Sequence, residues 1–470
     1  MATFFLSDFS LSSVRSVTTV QTFRSVFSGQ GLAWADIDLD TERAVKQHRS
    51  EAARLASRDR DREKTVEGVS AMGRRGKEVF DDLLRSSIEL ARNKPRFLVR
   101  SFEKGGEKAQ FGRDCLVNII AAGDILIHDT TRKFAAQSDG SFDFKSNFKY
   151  VQPILSQGDL VIGNLENPLA GVERRLSGYP NFNAPQELAT DLKQSGFSTV
   201  LIANNHSMDR SWSGLETTIS TVEAANLDYV GAYKDPEDKK RRLISVYNGI
   251  KIAILAYTYG LNGYPGPKVG EEWRLGLIDR ALIFSDLKSV REEGVDFVII
   301  SLHFGNEYER KPNKEQIKLV QELLKGDPEN GLAGPELILG HHPHVVQPFV
   351  QIDNGANSSG QAVMYSLGNF MTSQPYPYTN LGVILEGQLR LTSDGQKFVG
   401  PFTLIPTLCY KGLRDGQGFY QVIPMAQAVN DPAKFGLTST EGVTIAKALD
   451  EMNKHLVSME PDPEKWPSLK

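Results

Sequence analysis

The segment Gly-His-His-Pro-His at residues 340–344 holds three of the chain's eight histidines. It follows the apolar residues 337–339 directly, so a strand is predicted to deliver a histidine cluster to a turn. The glycine allows the backbone to bend there, and the proline stiffens the loop. Neutral imidazole is the commonest nitrogen ligand for zinc, manganese and iron, and the His-Pro-His spacing lets two rings converge on one point. The cluster therefore predicts a metal site rather than a turn with surface histidines.

Four other predicted strands are also followed by residues of a type that binds metals. The short apolar runs at 116–122, 159–163, 199–203 and 297–302 are typical of buried strands. The polar residues that come after them include Asp124, Glu166, Asn205 and His303. The packing of a buried strand does not require a metal-ligand residue type at its end. Because such residues follow all of these strands, we expect the strand ends to meet at one site.

The candidate metal ligands form a mixed oxygen and nitrogen set. They are Asp124, Glu166, Asn205, His303, His342 and His344. Two carboxylates, one amide and three imidazoles suit a divalent transition metal (Zn, Mn or Fe) better than Mg or Ca. A carboxylate can bridge two ions about 3.5 to 4 Å apart, and such a pair promotes in-line attack on a phosphate. The set therefore predicts one or two ions and metal-assisted hydrolysis.

His206 is the candidate catalytic histidine. It follows Asn205 directly and is therefore expected to face the same cavity, where a protonated imidazole would stabilise a transition state or protonate a leaving group. Asp209 lies three residues further on and is placed to orient the ring.

The composition is that of an ordinary soluble globular protein. The chain has 470 residues, of which 40% are hydrophobic and 24% charged, with a net charge of −4 that argues against a general nucleic-acid surface. Cys115 and Cys409 lie far apart and form neither a disulfide framework nor a thiolate metal site. No apolar run is long enough for a membrane span, and residues 1–6 lack the features of a secretory signal. We therefore expect a cytoplasmic protein.

Composition and periodicity divide the chain into four parts. Residues 1–36 show no steady period and are predicted to be disordered or loosely attached. Residues 37–110 form a charged helical extension, which we expect to pack on the domain that follows or to join subunits in a homo-oligomer. In residues 111–375 short strands alternate with helices, which predicts an α/β domain with its site at the strand ends. Residues 376–470 supply further strands and a terminal helix that complete or cap this domain.

Seven motifs occur in the order found in a known family. They are Gly123-Asp124, Asn164-Leu165-Glu166-Asn167-Pro168-Leu169, Phe182-Asn183-Ala184-Pro185, Ala203-Asn204-Asn205-His206-Ser207-Met208-Asp209, His303-Phe304-Gly305-Asn306-Glu307-Tyr308, Gly340-His341-His342-Pro343-His344 and Tyr365-Ser366-Leu367-Gly368-Asn369-Phe370. Over roughly residues 115–375 the chain resembles the CapA/PgsA family of poly-γ-glutamate capsule biosynthesis proteins, a branch of the calcineurin-like metallophosphoesterases.

The resemblance implies a four-layer α/β/β/α sandwich with a metal centre where the loops meet. It assigns the six candidate ligands to the metal site and His206 to the catalytic position. Family members act in the synthesis, export or cleavage of poly-γ-glutamate. The expected partners are therefore a small-molecule or poly-γ-glutamate substrate and a Mur-ligase-like synthetase, and no nucleic acid is expected.

The chain departs from the family pattern in three respects, one of which is that the charged helical extension before residue 111 lies outside the resemblance. Metallophosphoesterases usually begin with Asp-x-His, but Leu126 stands two residues after Asp124, so one metal position lacks a ligand. His128 would substitute for that histidine only if the loop folds back. Capsule-type members also usually carry a membrane anchor or signal, and none is visible here.

Two functions fit these observations. The first is a metal-dependent hydrolase that cleaves a phosphate ester or a γ-glutamyl amide through a metal-bound hydroxide. The second is a non-catalytic accessory protein that binds the polyanion or a synthetase partner, with Arg174, Arg175, Arg310 and Lys311 as candidate contacts. The complete set of ligand-type residues favours the enzyme.

Overall fold

The computed structural model describes residues 114–352, 360–414 and 416–458. The N-terminal part at 1–36, predicted to be disordered or loosely attached, and the predicted charged helical extension at 37–110 lie outside the described residues. Among the helices that are described, none is both long enough and apolar enough to cross a membrane.

The described residues contain fifteen strands and ten α-helices. The strands are β1 (Cys115–Ile125), β2 (Leu160–Leu165), β3 (Thr199–Leu201), β4 (Asp228–Val230), β5 (Ile244–Tyr247), β6 (Ile250–Thr258), β7 (Phe297–His303), β8 (Leu337–His341), β9 (Phe349–Ile352), β10 (Gln361–Met364), β11 (Asn369–Met371), β12 (Leu381–Leu391), β13 (Lys397–Val399), β14 (Thr403–Arg414) and β15 (Gln417–Pro424). The helices are α1 (Asp129–Ala135), α2 (Lys145–Phe148), α3 (Gln152–Leu155), α4 (Glu187–Gln194), α5 (Ser211–Ala224), α6 (Pro236–Arg242), α7 (Arg280–Glu292), α8 (Lys314–Lys325), α9 (Met425–Asn430) and α10 (Ser439–Ser458).

The strands form two sheets. The nine-stranded sheet has the order β15-β14-β12-β1-β2-β3-β4, with β11 also paired to β1 and β13 to β12. Strands β1 to β4 are parallel, whereas β12 runs antiparallel along β1, so the strands after residue 375 extend the sheet that β1 begins. The six-stranded sheet has the order β5-β6-β7-β8-β10-β9, and its four central strands are parallel.

The two sheets face each other and carry helices on their outer sides. Strand β1 lies against β6 and β8, and β4 lies against β6. Helix α5 packs on β4 through an apolar face that includes Leu215 and Ile219, and α7 packs on β6 through Ile283 and Leu287. These layers confirm the predicted α/β/β/α sandwich.

Parallel pairing brings the chemically active residues to one edge. The central strands are buried along their whole length and mostly apolar, as expected for parallel strands covered on both faces. Asp124 of β1 is in register with Asn164 of β2 and with Asn369 of β11. In the second sheet, His303 of β7 is in register with His341 of β8. The carboxyl ends of both sheets therefore meet, as predicted for an α/β site.

Helix α8 fixes the end of the loop that follows β7. The sequence predicts a helix over residues 313–324, and the helix runs from Lys314 to Lys325. Asn313 accepts a hydrogen bond from the Gln316 main chain at 2.8 Å, and the Gln316 side chain accepts one from the Asn313 main chain at 2.9 Å. This capping box satisfies two main-chain donors and stabilises the start of the helix. The loop at 304–312 is thus held between a strand end and a capped helix.

Gly123→Ala is expected to destabilise the fold beside the site. A Cβ at this position would lie 1.9 Å from the carbonyl oxygen of Gly368, where the ladder between β1 and β2 shifts register. Such overpacking against main chain should lower the free energy of unfolding by about 2 kcal/mol or more. The free energy of unfolding is measured by urea denaturation, monitored by far-UV circular dichroism. Gly260→Ala is the control, because no atom lies within 4 Å of the added Cβ, and equal stability of the two variants would contradict this packing.

Candidate metal centre

Asp124 lies at the centre of the site, near the end of β1. Its side chain is fully buried, and Oδ1 accepts a hydrogen bond from Asn164 Nδ2 at 2.8 Å. The main-chain N–H of His342 donates to Oδ2 at 3.2 Å. The Nδ1 atoms of His341 and His344 lie 3.1 and 3.3 Å from its two oxygens. Asp124 therefore joins the ends of both sheets.

The environment of Asp124 favours its charged form. Burial alone would raise the pKa of the carboxyl, but the hydrogen bonds and charges of His341 and His344 outweigh it and hold the pKa well below the ordinary value. A carboxylate that stays ionised in a buried place is suited to bind a cation.

Glu166 directly follows β2 and is also fully buried. Its Oε1 lies 3.3 Å from His303 Nε2 and 3.8 Å from His344 Nε2, but this oxygen accepts no hydrogen bond among the described residues. Burial raises the pKa of Glu166 well above the ordinary value, and the charge of Asp124 raises it further. No lysine or arginine in the described part of the chain pairs with either carboxylate. The site is therefore short of positive charge.

The histidines are held in the form that binds metals. Burial, with the charge of His342, lowers the pKa of His303 well below the ordinary value. Burial and the charge of His344 likewise lower the pKa of His342 to about 3. Metal ions bind neutral imidazole, so this environment prepares both rings as ligands.

The backbone at the histidine segment is strained. His342 and His344 have φ values of 94° and 58°, in a region that residues other than glycine rarely adopt. Such conformations cost free energy and persist where the surrounding structure imposes them, commonly at functional sites. Here they allow both rings of the segment to lie close to Asp124 and Glu166.

Three groups of side chains could hold a metal ion. They are Glu166 with His303 and His342, Asp124 with Glu166 and His344, and Glu307 with His342 and His344. Within each group the ligand atoms lie within 4.8 Å of one another. Two of these atoms, Glu166 Oε1 and His342 Nδ1, are buried without a hydrogen-bond partner in the described structure. The ionised Asp124 carboxylate, the neutral imidazoles of His303 and His342 and the unpaired ligand atoms together fit a divalent transition metal.

The structure brings all six predicted ligands together. Five of them belong to the three groups. The sixth, Asn205, lies beside His303, with its Oδ1 2.9 Å from His303 Nε2. Their role as metal ligands stays a prediction.

His206 and Asp209 form a buried pair next to these ligands. The Nδ1 atom of His206 lies 2.7 Å from Asp209 Oδ2, which also accepts the main-chain N–H of Phe182 at 2.7 Å. The Phe182 ring meets the imidazole edge-on with centroids 4.7 Å apart, and Asn262 Nδ2 lies 3.3 Å from Nδ1. The carboxylate thus fixes the ring orientation, as the predicted positioning role requires.

His128 does not replace the missing histidine of the Asp-x-His pattern. Its Nδ1 lies 3.2 Å from the carbonyl oxygen of Leu126, and its ring packs edge-on against Phe182 at 5.2 Å. It belongs to none of the metal-binding groups found among the described residues. The side chain of Leu126 is buried, and leucine offers no metal ligand at this position.

Sequence reasoning missed several residues of the site. His341 was not assigned because β8 was predicted to stop at Leu339, although the strand continues to His341. Asn164 was overlooked in favour of Glu166, two positions on. Tyr259 comes from a loop, and its ring lies 4.6 Å from that of His342. The sequence signal for His341 was its place in the same short segment as His342 and His344.

Two of the four arginine and lysine residues proposed as polyanion contacts are already engaged. Arg310 Nη1 lies 2.5 Å from Glu451 Oε1, and its guanidinium lies 4.1 Å from the Tyr378 ring centroid. Arg174 Nη1 donates to the Ala170 carbonyl at 2.8 Å and lies 2.5 Å from Glu173 Oε1. Their charges are thus partly neutralised within the chain.

The chain matches the family model described as bacterial capsule synthesis protein PGA_cap over residues 118–374, more than half of its length. It is 30% identical over 249 residues to the capsule biosynthesis protein CapA of Bacillus anthracis, covering 52% of this chain and 57% of that protein. It is 29% identical over 296 residues to the PGA biosynthesis protein CapA of Bacillus subtilis, covering 62% of this chain and 72% of that protein. The match thus spans less than two thirds of the B. anthracis relative.

Solved structures with similar architecture share little sequence with the chain. The calcineurin-like phosphoesterase YfkN of Bacillus subtilis aligns with a TM-score of 0.36 and 13% identity, covering 73% of this chain and 99% of that one. The NAD nucleotidase NadN of Haemophilus influenzae aligns with a TM-score of 0.38 and 11% identity, covering 73% and 61% of the two chains.

Proposed function

Because the chain belongs to the bacterial capsule synthesis protein PGA_cap family, we propose that it is a metal-dependent hydrolase. Its candidate substrates are a phosphate ester and the γ-glutamyl amide bonds of poly-γ-glutamate. The observation that carries the proposal is the convergence of buried carboxylates and imidazoles at one place. Two of their atoms, Glu166 Oε1 and His342 Nδ1, have no hydrogen-bond partner in the described structure. The B. subtilis relative is described as a PGA biosynthesis protein, which supports the polymer as a candidate substrate.

We assign the metal ion to the place where the carboxyl ends of the two sheets meet. The residues that would hold it are Asp124, Glu166, Asn205, His303, His342 and His344. A divalent ion bound there acts as a Lewis acid on a substrate oxygen and lowers the pKa of water. Asn164 holds Asp124 in place through its 2.8 Å hydrogen bond, and Asn205 orients His303. Such partners fix ligand orientation and increase metal affinity.

His206 is assigned the proton transfer to the leaving group. Its Nδ1 is engaged by Asp209 at 2.7 Å, so Nε2 is the nitrogen that remains to exchange a proton with substrate. Asp209 stabilises the imidazolium form through its carboxylate charge, and its own position is fixed by the Phe182 main chain. The pair is buried, which excludes water from the proton path.

The accessory-protein alternative, in which the same cleft binds a polyanion without cleaving it, has less support. Polyanion binding needs cations that are free to pair with it, and Arg310 and Arg174 already contact carboxylates of this chain. A site rich in buried carboxylates also repels a polyanion unless a metal ion is bound.

Removal of the metal is expected to abolish hydrolysis. Protein dialysed against a chelator should lose activity on an aryl phosphate diester or on poly-γ-glutamate, and Mn, Zn or Fe should restore it. Product release is followed by absorbance for the ester and by polymer length for poly-γ-glutamate. The substrate that responds selects between the two reactions. Metal-loaded protein that cleaves neither substrate would contradict the hydrolase and favour the accessory role.

A further inference from the structure

One side of the metal site has fewer ligands than the family pattern requires. Leu126 occupies the position of the Asp-x-His histidine and is buried in the core. His128 contacts Phe182 and the main chain of Leu126 instead. An ion near Asp124 and His344 is therefore short of one protein ligand.

The loop after β7 lies against the histidine segment of the site. Gly305 has a φ of 104°, which allows the chain to turn immediately after the strand. The main-chain N–H of Phe304 donates to the His341 carbonyl at 3.1 Å, and that of Tyr308 donates to the Pro343 carbonyl at 2.8 Å. Both contacts tie the loop to the histidine segment, one on each side of Glu307.

The Glu307 carboxylate lies among the candidate ligands. One of its oxygens and ring nitrogens of His342 and His344 are all within 4.8 Å of one another. Burial raises the pKa of the Glu166 carboxyl and of the Tyr259 hydroxyl, and the charge of Glu307 raises both further. The Glu307 carboxylate is therefore close enough to both imidazoles to share one ion with them.

No cation of the described chain accounts for this placement. Glu307 forms no ion pair with a lysine or arginine among the described residues, and its charge acts on the buried Glu166 carboxyl together with that of Asp124. Three carboxylates that converge without a counter-charge repel one another. One carboxylate and two imidazoles are a ligand set that divalent transition metals favour.

We propose that Glu307 is a metal ligand which, with His342 and His344, compensates for the donor that is missing at Leu126. The inference rests on the proposed metal-dependent function. Because the Glu307 side chain is exposed whereas the two histidines are buried, Glu307 would hold the ion from the solvent side of the site.

Glu307→Gln tests the inference through metal binding itself. The variant keeps the shape of the side chain but removes its charge, and Glu309→Gln, two residues along the same exposed loop, is the matched control. Titration of metal-free protein with Mn²⁺ by isothermal calorimetry should show affinity for at least one ion reduced about tenfold or more in Glu307→Gln and unchanged in Glu309→Gln. Plasma mass spectrometry after gel filtration should show fewer ions per chain in Glu307→Gln only.

The outcomes separate this inference from the proposed function. Wild-type protein that binds metal while Glu307→Gln binds it equally well would overturn the role of Glu307 and leave the hydrolase intact. Equal losses in both variants would also overturn it, since they reflect the loop's overall charge. Wild-type protein that binds no ion would overturn both. Unchanged thermal unfolding of the two variants shows that neither change acts through the fold.

Discussion

Asp124→Asn is expected to lower both metal affinity and hydrolytic activity by about a hundredfold or more. The carboxylate accepts hydrogen bonds from Asn164 Nδ2 and the His342 main chain, and it lies 3.3 Å or less from His341 and His344. An amide in its place removes the negative charge and turns an NH₂ group towards at least one of these donors. The variant therefore loses a ligand and the orientation of the histidines together.

Metal titration and steady-state kinetics on the same sample measure this effect. Asp191→Asn is the control, because Asp191 is also a buried carboxylate that accepts a main-chain hydrogen bond, from Phe144 at 2.7 Å, but lies outside the metal-binding groups. The control should keep its metal and its activity. Asp124→Asn protein with wild-type metal content and activity would show that Asp124 serves only the fold.

His206→Ala is expected to reduce kcat by about a hundredfold to ten-thousandfold while leaving metal content unchanged. The imidazole belongs to none of the metal-binding groups of the described residues, and its Nδ1 is engaged by Asp209. Removing it takes away the proton donor but no ligand. Asp209→Asn should give a smaller loss, because the ring remains and only its orientation and the stabilisation of its charge are weakened.

Kinetics and metal analysis on both variants distinguish this role from a structural one. His455→Ala on α10 is the control, since that ring contacts the Val346 main chain and is not one of the candidate ligands. A parallel loss of metal and activity in His206→Ala would assign the ring to metal binding instead. Unchanged kcat would remove it from the reaction.

Local patterns were sufficient to predict the elements that position the site. The apolar runs before Asp124, Glu166, Asn205 and His303 are strands or strand ends, and parallel pairing brings them to one edge. The prediction succeeds because buried parallel strands are nearly continuous apolar runs, and the ends of such runs can be recognised in the sequence. The pairing of His206 with Asp209 was predictable because a spacing of three residues within one turn brings the two side chains together.

Contacts between distant segments were not predictable in the same way. His341 meets Asp124 across 217 positions, and the loop bearing Glu307 is held by main-chain hydrogen bonds to the histidine segment. Neither contact follows from periodicity, because each depends on how the two sheets face each other. The late strands posed the same difficulty, since the sequence of β12 does not reveal that its partner is β1.

The departure at Leu126 shows how sequence and structure complement each other. The sequence established that the Asp-x-His histidine is absent and suggested His128 as its substitute. The structure turns His128 towards Phe182 and brings Glu307 to the site instead. A carboxylate on a loop after β7 has no spacing that connects it to Asp124, so only the folded arrangement identifies it.

Metal content of the wild-type protein tests the central claim most directly. Plasma mass spectrometry on protein reconstituted with Mn, Zn or Fe and freed of excess ion by gel filtration should find one or two ions per chain. This result would identify the converging carboxylates and imidazoles as a metal centre. Protein that retains none of these ions after reconstitution would contradict the account, because the buried charges and unpaired ligand atoms would then need another explanation.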